Sequence, residues 1–351
     1  CNCETCNSTG EPVTLYIKMW ALERASKKMR QFTAGKNEQD MRLSRFVQRV
    51  ACQLPASAMY KAFRNRRIKV NGHRAAPDTL LCEGDVIELY LNDEFFEGKK
   101  PQPRAQQAKK SRFSMRVIYE DADIAALYKP AHLLCHSDRT GDDSLVGQFV
   151  RYLEQRGEYA RESENGFAPA VANRLDRGTE GLVLAAKNRP ALRALNEIIR
   201  QDMLRKEYIC ITVGRPPQGL HEAYLRHFEK ENKVRVQLQA APGYKKIITQ
   251  VQVLRTCGPY SLCRIGLITG RTHQIRAHLA FLGTPVLGDI KYGNRKMNAR
   301  AGLSTQALCA ARVTFGQLPE ENVLARLSGK CIALPGTEVE KRFETLCAAG
   351  R

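Results

Sequence analysis

Residues 173–181 read Asn-Arg-Leu-Asp-Arg-Gly-Thr-Glu-Gly, and an apolar run at positions 182–186 follows directly. This order puts Asp176 close to the start of a strand that the apolar run predicts to be buried. A charge at such a position is costly unless a cation pairs with it. Arg174, on the same side of an extended chain, and the more distant Arg271 are both candidates. The pattern predicts either a structural ion pair or an ionised carboxylate that serves as nucleophile or base.

A second charged segment lies nearly a hundred residues later, where positions 270–276 read Gly-Arg-Thr-His-Gln-Ile-Arg. Apolar positions at helical spacing predict a helix over 272–282, with Thr272 as its N-cap and Gly283 after its end. Arg271 is then expected at the helix start. His273 and His278 are five residues apart, which is not the i, i+4 spacing of a zinc-binding pair, so no metal site is predicted.

The front of the chain predicts a small α/β domain over residues 29–96. Apolar positions at helical spacing give two short helices from about 41 and 56, and a strand at 68–70 leads to the tight turn Asn71-Gly72 and a strand at 86–91. The second helix and the following strand carry basic side chains that can track phosphates: Lys61, Arg64, Arg66, Arg67 and Lys69. A solvated basic helix end is the alternative.

Residues 97–112 are basic and contain few apolar side chains, which predicts a linker. Beyond it, a second, larger domain is predicted over 113–351 from apolar runs that alternate with helical patterns, and the resemblance described below implies that it is the catalytic domain. The predicted strands lie at 116–128, 182–186, 208–213, 248–254 and 260–268, and the helices at 145–156, 191–201 and 272–282. The pattern indicates a mixed α+β class.

Composition favours a polyanionic partner, because 56 Lys and Arg face 36 Asp and Glu for a net charge of +20. The 12 cysteines are scattered singly, which favours free thiols in the cytoplasm over a disulfide scaffold. Only Cys1, Cys3 and Cys6 cluster, without a second group to complete a zinc site. Residues 1–28 are interpreted as a leader or disordered arm, no membrane span is predicted, and a monomer is expected.

These motifs resemble those of a known family. Residues 173–187 are similar to the "RLD" motif of the RluA-type pseudouridine synthases, and residues 267–292 to the family's later GRTHQIR…GxPxxGDxxYG motif. Tyr119-Glu120-Asp121 with Lys129-Pro130, and Lys206-Glu207-Tyr208, resemble two further motifs, so the resemblance spans about 113–315. Residues 42–46 and 70–72 resemble the RNA-binding domain of a small-subunit ribosomal protein.

The resemblance implies a largely antiparallel catalytic sheet with a central basic cleft, and an isomerase that converts uridine to pseudouridine without a metal, redox or nucleotide cofactor. Asp176 would be the catalytic aspartate, as nucleophile or base. Arg271 would pair with it, Tyr208 would stack on the uracil, and Arg174 would support the loop or meet phosphate. Large-subunit ribosomal RNA is the expected substrate.

Several alternatives remain open at this point. One alternative substrate is tRNA. Another hypothesis is that the chain is a non-catalytic RNA-binding factor of ribosome assembly. Tyr208 is a core aromatic residue, or Cys135 and His136 form a thiol–imidazole pair, although neighbours on a strand point apart. A hydrolase with two carboxylates lacks a second acid. Three departures from the family pattern, Asn173, Gly178 and His132, bear on substrate preference.

Overall fold

The computed structural model describes residues 29–96, 114–137, 143–160, 167–228, 231 and 233–350. These residues form two compact units, the first containing 29–96 and the second containing the described residues of 106–160 and 168–351. The predicted leader at 1–28 and the linker at 97–112 lie outside the described residues.

The first unit is an antiparallel sheet covered by two helices. Its elements are β1 (Met29–Thr33), α1 (Leu43–Val50), α2 (Ala56–Arg64), β2 (Ile68–Val70), β3 (His73–Arg74) and β4 (Val86–Tyr90), in the strand order β1-β4-β2-β3. Phe46 and Val47 of α1 and Met59 and Phe63 of α2 are buried in one core. Both predicted helices are confirmed. They could be predicted because their apolar positions repeat every three to four residues.

A tight hairpin turn joins β2 to β3. Asn71 and Gly72 both have positive φ angles, 50° and 77°, as a two-residue hairpin turn requires. The Asn71 side chain donates to Asp85 and accepts from the backbone N–H of Val86, each at 2.8 Å. The predicted turn is therefore confirmed. Strand β1 was not predicted; it pairs with β4 along its whole length.

The second unit is built on an eleven-stranded sheet. Its strands are β5 (Arg116–Glu120), β6 (Ile124–Lys129), β7 (Ala170–Val171), β8 (Glu180–Ala186), β9 (Leu204–Val213), β10 (Gly219–Phe228), β11 (Lys233–Gln237), β12 (Lys245–Cys257), β13 (Tyr260–Leu267), β14 (Leu308–Phe315) and β15 (Cys331–Ala333). The main order is β11-β10-β12-β13-β9-β14-β8-β6-β5, and only the β8–β14 pair is parallel. The predicted class, α+β with a largely antiparallel sheet, is confirmed.

Helices pack on this sheet: α3 (Leu145–Gln155), α4 (Arg189–Arg200), α5 (Gln274–Phe281), α6 (Arg295–Arg300) and α7 (Glu338–Ala348). The packing of strand β8 explains why its sequence is continuously apolar. Leu182 and Leu184 share a core with α4, whereas Val183 and Ala185 share another with α3. Successive residues of a strand face opposite sides, so a strand covered on both sides needs no polar alternation.

Two predicted boundaries in the second unit are wrong. The strand expected over 116–128 is two strands, because Asp121 accepts hydrogen bonds from the backbone of Asp123 and Ile124 and turns the chain. The helix expected from Thr272 begins at Gln274, and no side-chain cap is present. Strands β10, β11, β14 and β15 and helices α6 and α7 were not predicted.

Candidate active site

A cleft of about 860 Å³ opens in the second unit. Its walls come from the loop before β8, the segment between β13 and α5, the loop before β14, and Tyr208 on β9. Among the described residues that line it, Asp176 is the only acidic one, and six are lysines or arginines: Arg174, Arg177, Lys206, Arg271, Arg276 and Lys291. The described lining is therefore positively charged around the Asp176 carboxylate, as a site for a polyanion is expected to be.

Asp176 uses one carboxylate oxygen for an ion pair. Its Oδ2 accepts a hydrogen bond from Nη1 of Arg276 at 2.7 Å, and Nε2 of His273 lies 3.8 Å from the same oxygen. Its Oδ1 has no hydrogen bond or ion pair within the described ranges. The Asp176 side chain is 27% exposed and lines the cleft, so a molecule in the cleft can contact it.

Arg276 is held by a second, deeper carboxylate. Its Nε and Nη2 donate to the two oxygens of Asp289 at 2.7 and 3.0 Å, and the Asp289 side chain is fully buried. Burial alone lowers the pKa of Arg276, but Asp289 and Asp176 together raise it above its usual range. The guanidinium thus remains charged, and its planar fork fixes the orientation of the Asp176 carboxylate.

The prediction that Arg271 pairs with Asp176 is wrong. Arg271 is exposed, and Arg276, the third residue of α5, makes the ion pair instead. The helix begins two residues later than expected because His273 has left-handed backbone angles, with φ of 54°. Gln274 stabilises this turn, since its Oε1 accepts from the backbone N–H of Arg271 at 3.0 Å. Arg174 is also exposed and makes no ion pair with Asp176.

Tyr208 is both a core residue and a wall of the cleft. It is 7% exposed, packs in the cluster that contains Ile275 and Leu308, and lines the cleft with Asp176. Burial, followed by the charge of Asp176, raises the pKa of the Tyr208 phenol above its usual range. The phenol is therefore neutral at physiological pH.

Lys129 is a structural residue of the site whose role could not be predicted from the sequence. Its side chain is fully buried, and Nζ donates to the carbonyls of Pro130, Leu133 and Arg177 at 3.0, 2.9 and 3.3 Å. Burial lowers its pKa to about 8. The backbone N–H of His132 also donates to Arg177 at 2.7 Å. Lys129 thereby ties the loop after β6 to the loop that carries Asp176, and the Lys-Pro pair was the only available signal.

The three departures from the family pattern each have a local partner. Gly178 leaves room for Gln306, whose Oε1 would lie 2.4 Å from an added Cβ. Asn173 accepts a hydrogen bond from the backbone of Leu184 at 2.8 Å. His132, with φ of 70°, places Nε2 2.8 Å from Oγ1 of Thr305. These contacts support the walls of the cleft.

Cys135 is one member of the alternative thiol–imidazole pair. Cys135 is buried, and its sulfur meets the backbone N–H and carbonyl of Leu175 at 3.4 and 3.6 Å. Within the described ranges, His, Cys, Asp and Glu side chains form no group of three that suits a metal ion. None of the helices in those ranges has the length and apolar character that crossing a membrane requires.

The basic residues predicted for RNA binding lie in the first unit, around the end of α2 and in β2. Four are exposed, namely Lys61, Arg64, Arg66 and Arg67. Lys69 is half-buried, with Nζ 5.4 Å from the centre of the Tyr90 ring. The structure thus brings these five residues to a short stretch of one unit, separate in the chain from the cleft residues.

Comparison with known proteins agrees with this geometry. Residues 123–281 match the family model of RNA pseudouridylate synthases. An RNA pseudouridine synthase of Mycoplasma capricolum is 30% identical over 77% of this chain and 87% of its own length. The ribosomal large subunit pseudouridine synthase C of Vibrio vulnificus is 30% identical over 78% of this chain and 84% of its own.

A solved structure of human RNA pseudouridylate synthase domain containing 1 overlaps 64% of this chain and 84% of its own, with 19% identity and a TM-score of 0.48. The sequence relatives cover most of both chains, and the matched region contains Asp176, Tyr208 and Arg276. The chain belongs to the RluA-type family of RNA pseudouridine synthases, which are isomerases.

Proposed function

We propose that this protein isomerises specific uridines of large-subunit ribosomal RNA to pseudouridine, with Asp176 as the catalytic carboxylate. The observation that carries the proposal is the asymmetry of Asp176, which lines the cleft: Arg276 occupies Oδ2, and Oδ1 has no hydrogen-bond partner among the described residues. The ribosomal substrate is inferred from the names of the relatives in Vibrio vulnificus and Escherichia coli, both called ribosomal large subunit pseudouridine synthase C.

The reaction needs little beyond a carboxylate and a closed, cationic environment. The bond between C1′ of the ribose and N1 of uracil breaks, the base turns, and a bond from C1′ to C5 forms. C5 loses a proton and N1 gains one, so the atoms balance. Asp176 acts as the nucleophile at the sugar or as the base. Negative charge on the detached uracil is stabilised by nearby cations such as Lys206 and Arg276.

Tyr208 is proposed to stack on the uracil, with its hydroxyl near C5. A neutral phenol with a raised pKa suits a side chain that contacts an uncharged base and the negative intermediate in turn. The uridine must first leave its stack in the RNA, as in other enzymes that act on a base. Arg174 and Arg271, exposed at the cleft, are proposed to hold the phosphates beside it.

The first unit is proposed to bind RNA through the basic stretch Lys61, Arg64, Arg66, Arg67 and Lys69. Its contacts would position the RNA without reading its sequence. A net charge of +20 supports a polyanionic substrate. We further propose that the protein acts in the cytoplasm as a monomer and needs no cofactor.

The direct test measures conversion of labelled uridine in ribosomal and transfer RNA transcripts, without added metal or cofactor. Asp176→Asn is expected to reduce turnover at least a thousandfold, while RNA affinity stays within a few fold. Asp202→Asn, at an exposed position outside the cleft, is the matched control and retains turnover. Equal turnover in Asp176→Asn would remove that residue from the mechanism.

The RNA class is decided by the same assay together with a deletion strain. Conversion of ribosomal transcripts and loss of a large-subunit site in the strain are expected. A lost site in tRNA with intact ribosomal RNA would make the protein a tRNA enzyme. Tight binding with no conversion of either RNA or of ribosomal particles would favour an assembly factor.

A further inference from the structure

A hydrogen-bonded chain leads from the sheet to His273, which lies beside Asp176. The backbone N–H of Val234, on β11, donates to the hydroxyl of Tyr292 at 3.0 Å. That hydroxyl lies 2.9 Å from Nδ1 of His273, and Nε2 of His273 lies 3.8 Å from Oδ2 of Asp176. The His273 side chain is only 9% exposed, so the protein and not solvent sets this geometry.

The hydrogen bonds and the nearby charge of Asp176 together assign the tautomer of His273. A backbone N–H can only donate, so the Tyr292 oxygen accepts from Val234 and keeps its own proton to donate. Nδ1 of His273 lies 2.9 Å from that hydroxyl and either accepts this proton or donates to the second lone pair of the oxygen, and the charge of Asp176 on the other side of the ring favours the first arrangement. A neutral imidazole that accepts at Nδ1 carries its own proton on Nε2.

The surrounding charges agree with this assignment. The opposite tautomer would point the lone pair of Nε2 at the carboxylate of Asp176, which is unfavourable. Double protonation is also disfavoured. Burial is the largest influence, and together with the charges of Arg276 and Lys291 it lowers the pKa of His273 to about 4, against the opposing effect of Asp176 and Asp289. The ring is consequently neutral at physiological pH, with its N–H toward Asp176.

We propose that His273 is a positioning residue of the reaction, held by Tyr292 as a neutral Nε2–H donor that faces Oδ2 of Asp176. Arg276 occupies Oδ2, and the N–H dipole of His273, with Nε2 3.8 Å from the same oxygen, favours this orientation of the carboxylate, which leaves Oδ1 for the substrate. A neutral donor orients the carboxylate without adding a second full charge, which would reduce its reactivity. The inference rests on the proposed role of Asp176.

The tautomer is measured directly by long-range nitrogen–proton correlation spectra of the full chain labelled with ¹⁵N-histidine. His273→Asn identifies the His273 signals by their loss. The Nε2–H form is expected in the unaltered protein at pH 7, and a mixture of tautomers in Tyr292→Phe. An Nδ1–H form in the unaltered protein, or an unchanged tautomer in Tyr292→Phe, would overturn the proposal.

Activity supplies a second readout. An Asn amide reaches the position of Nδ1 only, and Asn tolerates the left-handed backbone at 273, whereas a Gln amide reaches that of Nε2. We expect His273→Asn to lower kcat roughly two- to fivefold, through the loss of one neutral N–H dipole beside Oδ2, with KM little changed, and His273→Gln to restore most of it. Equal loss in both variants contradicts the proposal. No conversion by the unaltered protein contradicts the proposed function, while the spectra still decide the tautomer.

Discussion

At the scale of single residues, the contact that matters most is the bridge from Asp289 through Arg276 to Asp176. Lysine keeps the charge of Arg276 but offers one ammonium in place of a planar fork. Arg276→Lys is therefore expected to lower kcat about a hundredfold through misplacement of Asp176. It should also reduce the free energy of unfolding by about 3 kcal/mol, because buried Asp289 loses its paired hydrogen bonds.

Kinetics and urea unfolding check both expectations. Arg271→Lys is the comparison, since Arg271 lies in the same motif but is exposed. Arg271→Lys should change kcat by less than twofold. It should change the free energy of unfolding by less than about 0.5 kcal/mol. The reverse order of effects would mean that the arginine at 271, and not that at 276, positions Asp176.

The same pair shows how far residues can be predicted from sequence. The cost of a charge beside a buried strand predicts that Asp176 has a cationic partner, and this is confirmed. The choice of partner depends on where α5 begins, and a left-handed residue at 273 shifts that start by two positions. Capping rules favour threonine, so they pointed to Thr272 and missed the turn that Gln274 stabilises. Asp289 was missed because its burial depends on tertiary packing.

At the scale of elements, Lys129 joins the end of β6 to the loop that carries Asp176. Lys129→Met fills the space but leaves the carbonyls of Pro130, Leu133 and Arg177 without this donor. We expect faster hydrogen exchange in the peptides around 130–137 and 172–179, and a stability loss of about 2 kcal/mol. Lys341→Met, at an exposed position on α7, is the control. Unchanged exchange in both loops would show that other contacts hold them.

The packing of α5 on β12 predicts that the protein is less stable in acid. His278 is buried, its Nδ1 lies 2.9 Å from Oγ1 of Thr249, and its ring meets His221 edge to face. Burial first, and His221 second, lower its pKa to about 4 from 6.5. Between these values the unfolded chain binds a proton that the folded chain does not, so the free energy of unfolding falls as pH drops from 6.5 to 4.

His278→Asn retains a hydrogen-bonding group for Thr249 but does not titrate. The stability of the unaltered protein relative to this variant should therefore decrease by about 2 kcal/mol between pH 7 and pH 4. Urea unfolding at the two pH values measures it. His273 contributes its own acid sensitivity to both proteins and cancels in the difference. Parallel pH dependence in the two proteins would show that His278 is protonated without cost in the folded state.

Elements were predictable where one face of a helix or both faces of a strand are buried, as for α4 and β8. Strand β10 was missed because only Ala223 and Leu225 of its ten residues are buried, and β11 because it has only five residues. Periodicity is a weak signal in a segment so short or so exposed. Their importance is indirect: β11 supplies the backbone N–H of Val234 that begins the chain to His273.

At the scale of the whole molecule, the net charge of +20 predicted a polyanionic partner, but not which surfaces meet it. The cleft gathers six lysines and arginines from segments between positions 174 and 291, whose proximity only the fold establishes. The basic stretch of the first unit is local in sequence and was therefore predictable. We therefore propose separate roles, with chemistry and local binding in the cleft and most of the RNA affinity in the first unit.

This division predicts a selective effect on salt dependence. Replacing Lys61, Arg64, Arg66, Arg67 and Lys69 by Gln should reduce the slope of log affinity against log salt by up to about four, since each phosphate contact contributes roughly 0.7 to 0.9. The kcat at saturating RNA should stay unchanged, because the cleft residues are intact. The control removes five exposed charges of the second unit outside the cleft: Arg200, Arg205, Arg255, Arg312 and Lys341. An equal change of slope in both variants would mean that RNA senses only the total charge, and the first unit would then have no specific part in binding.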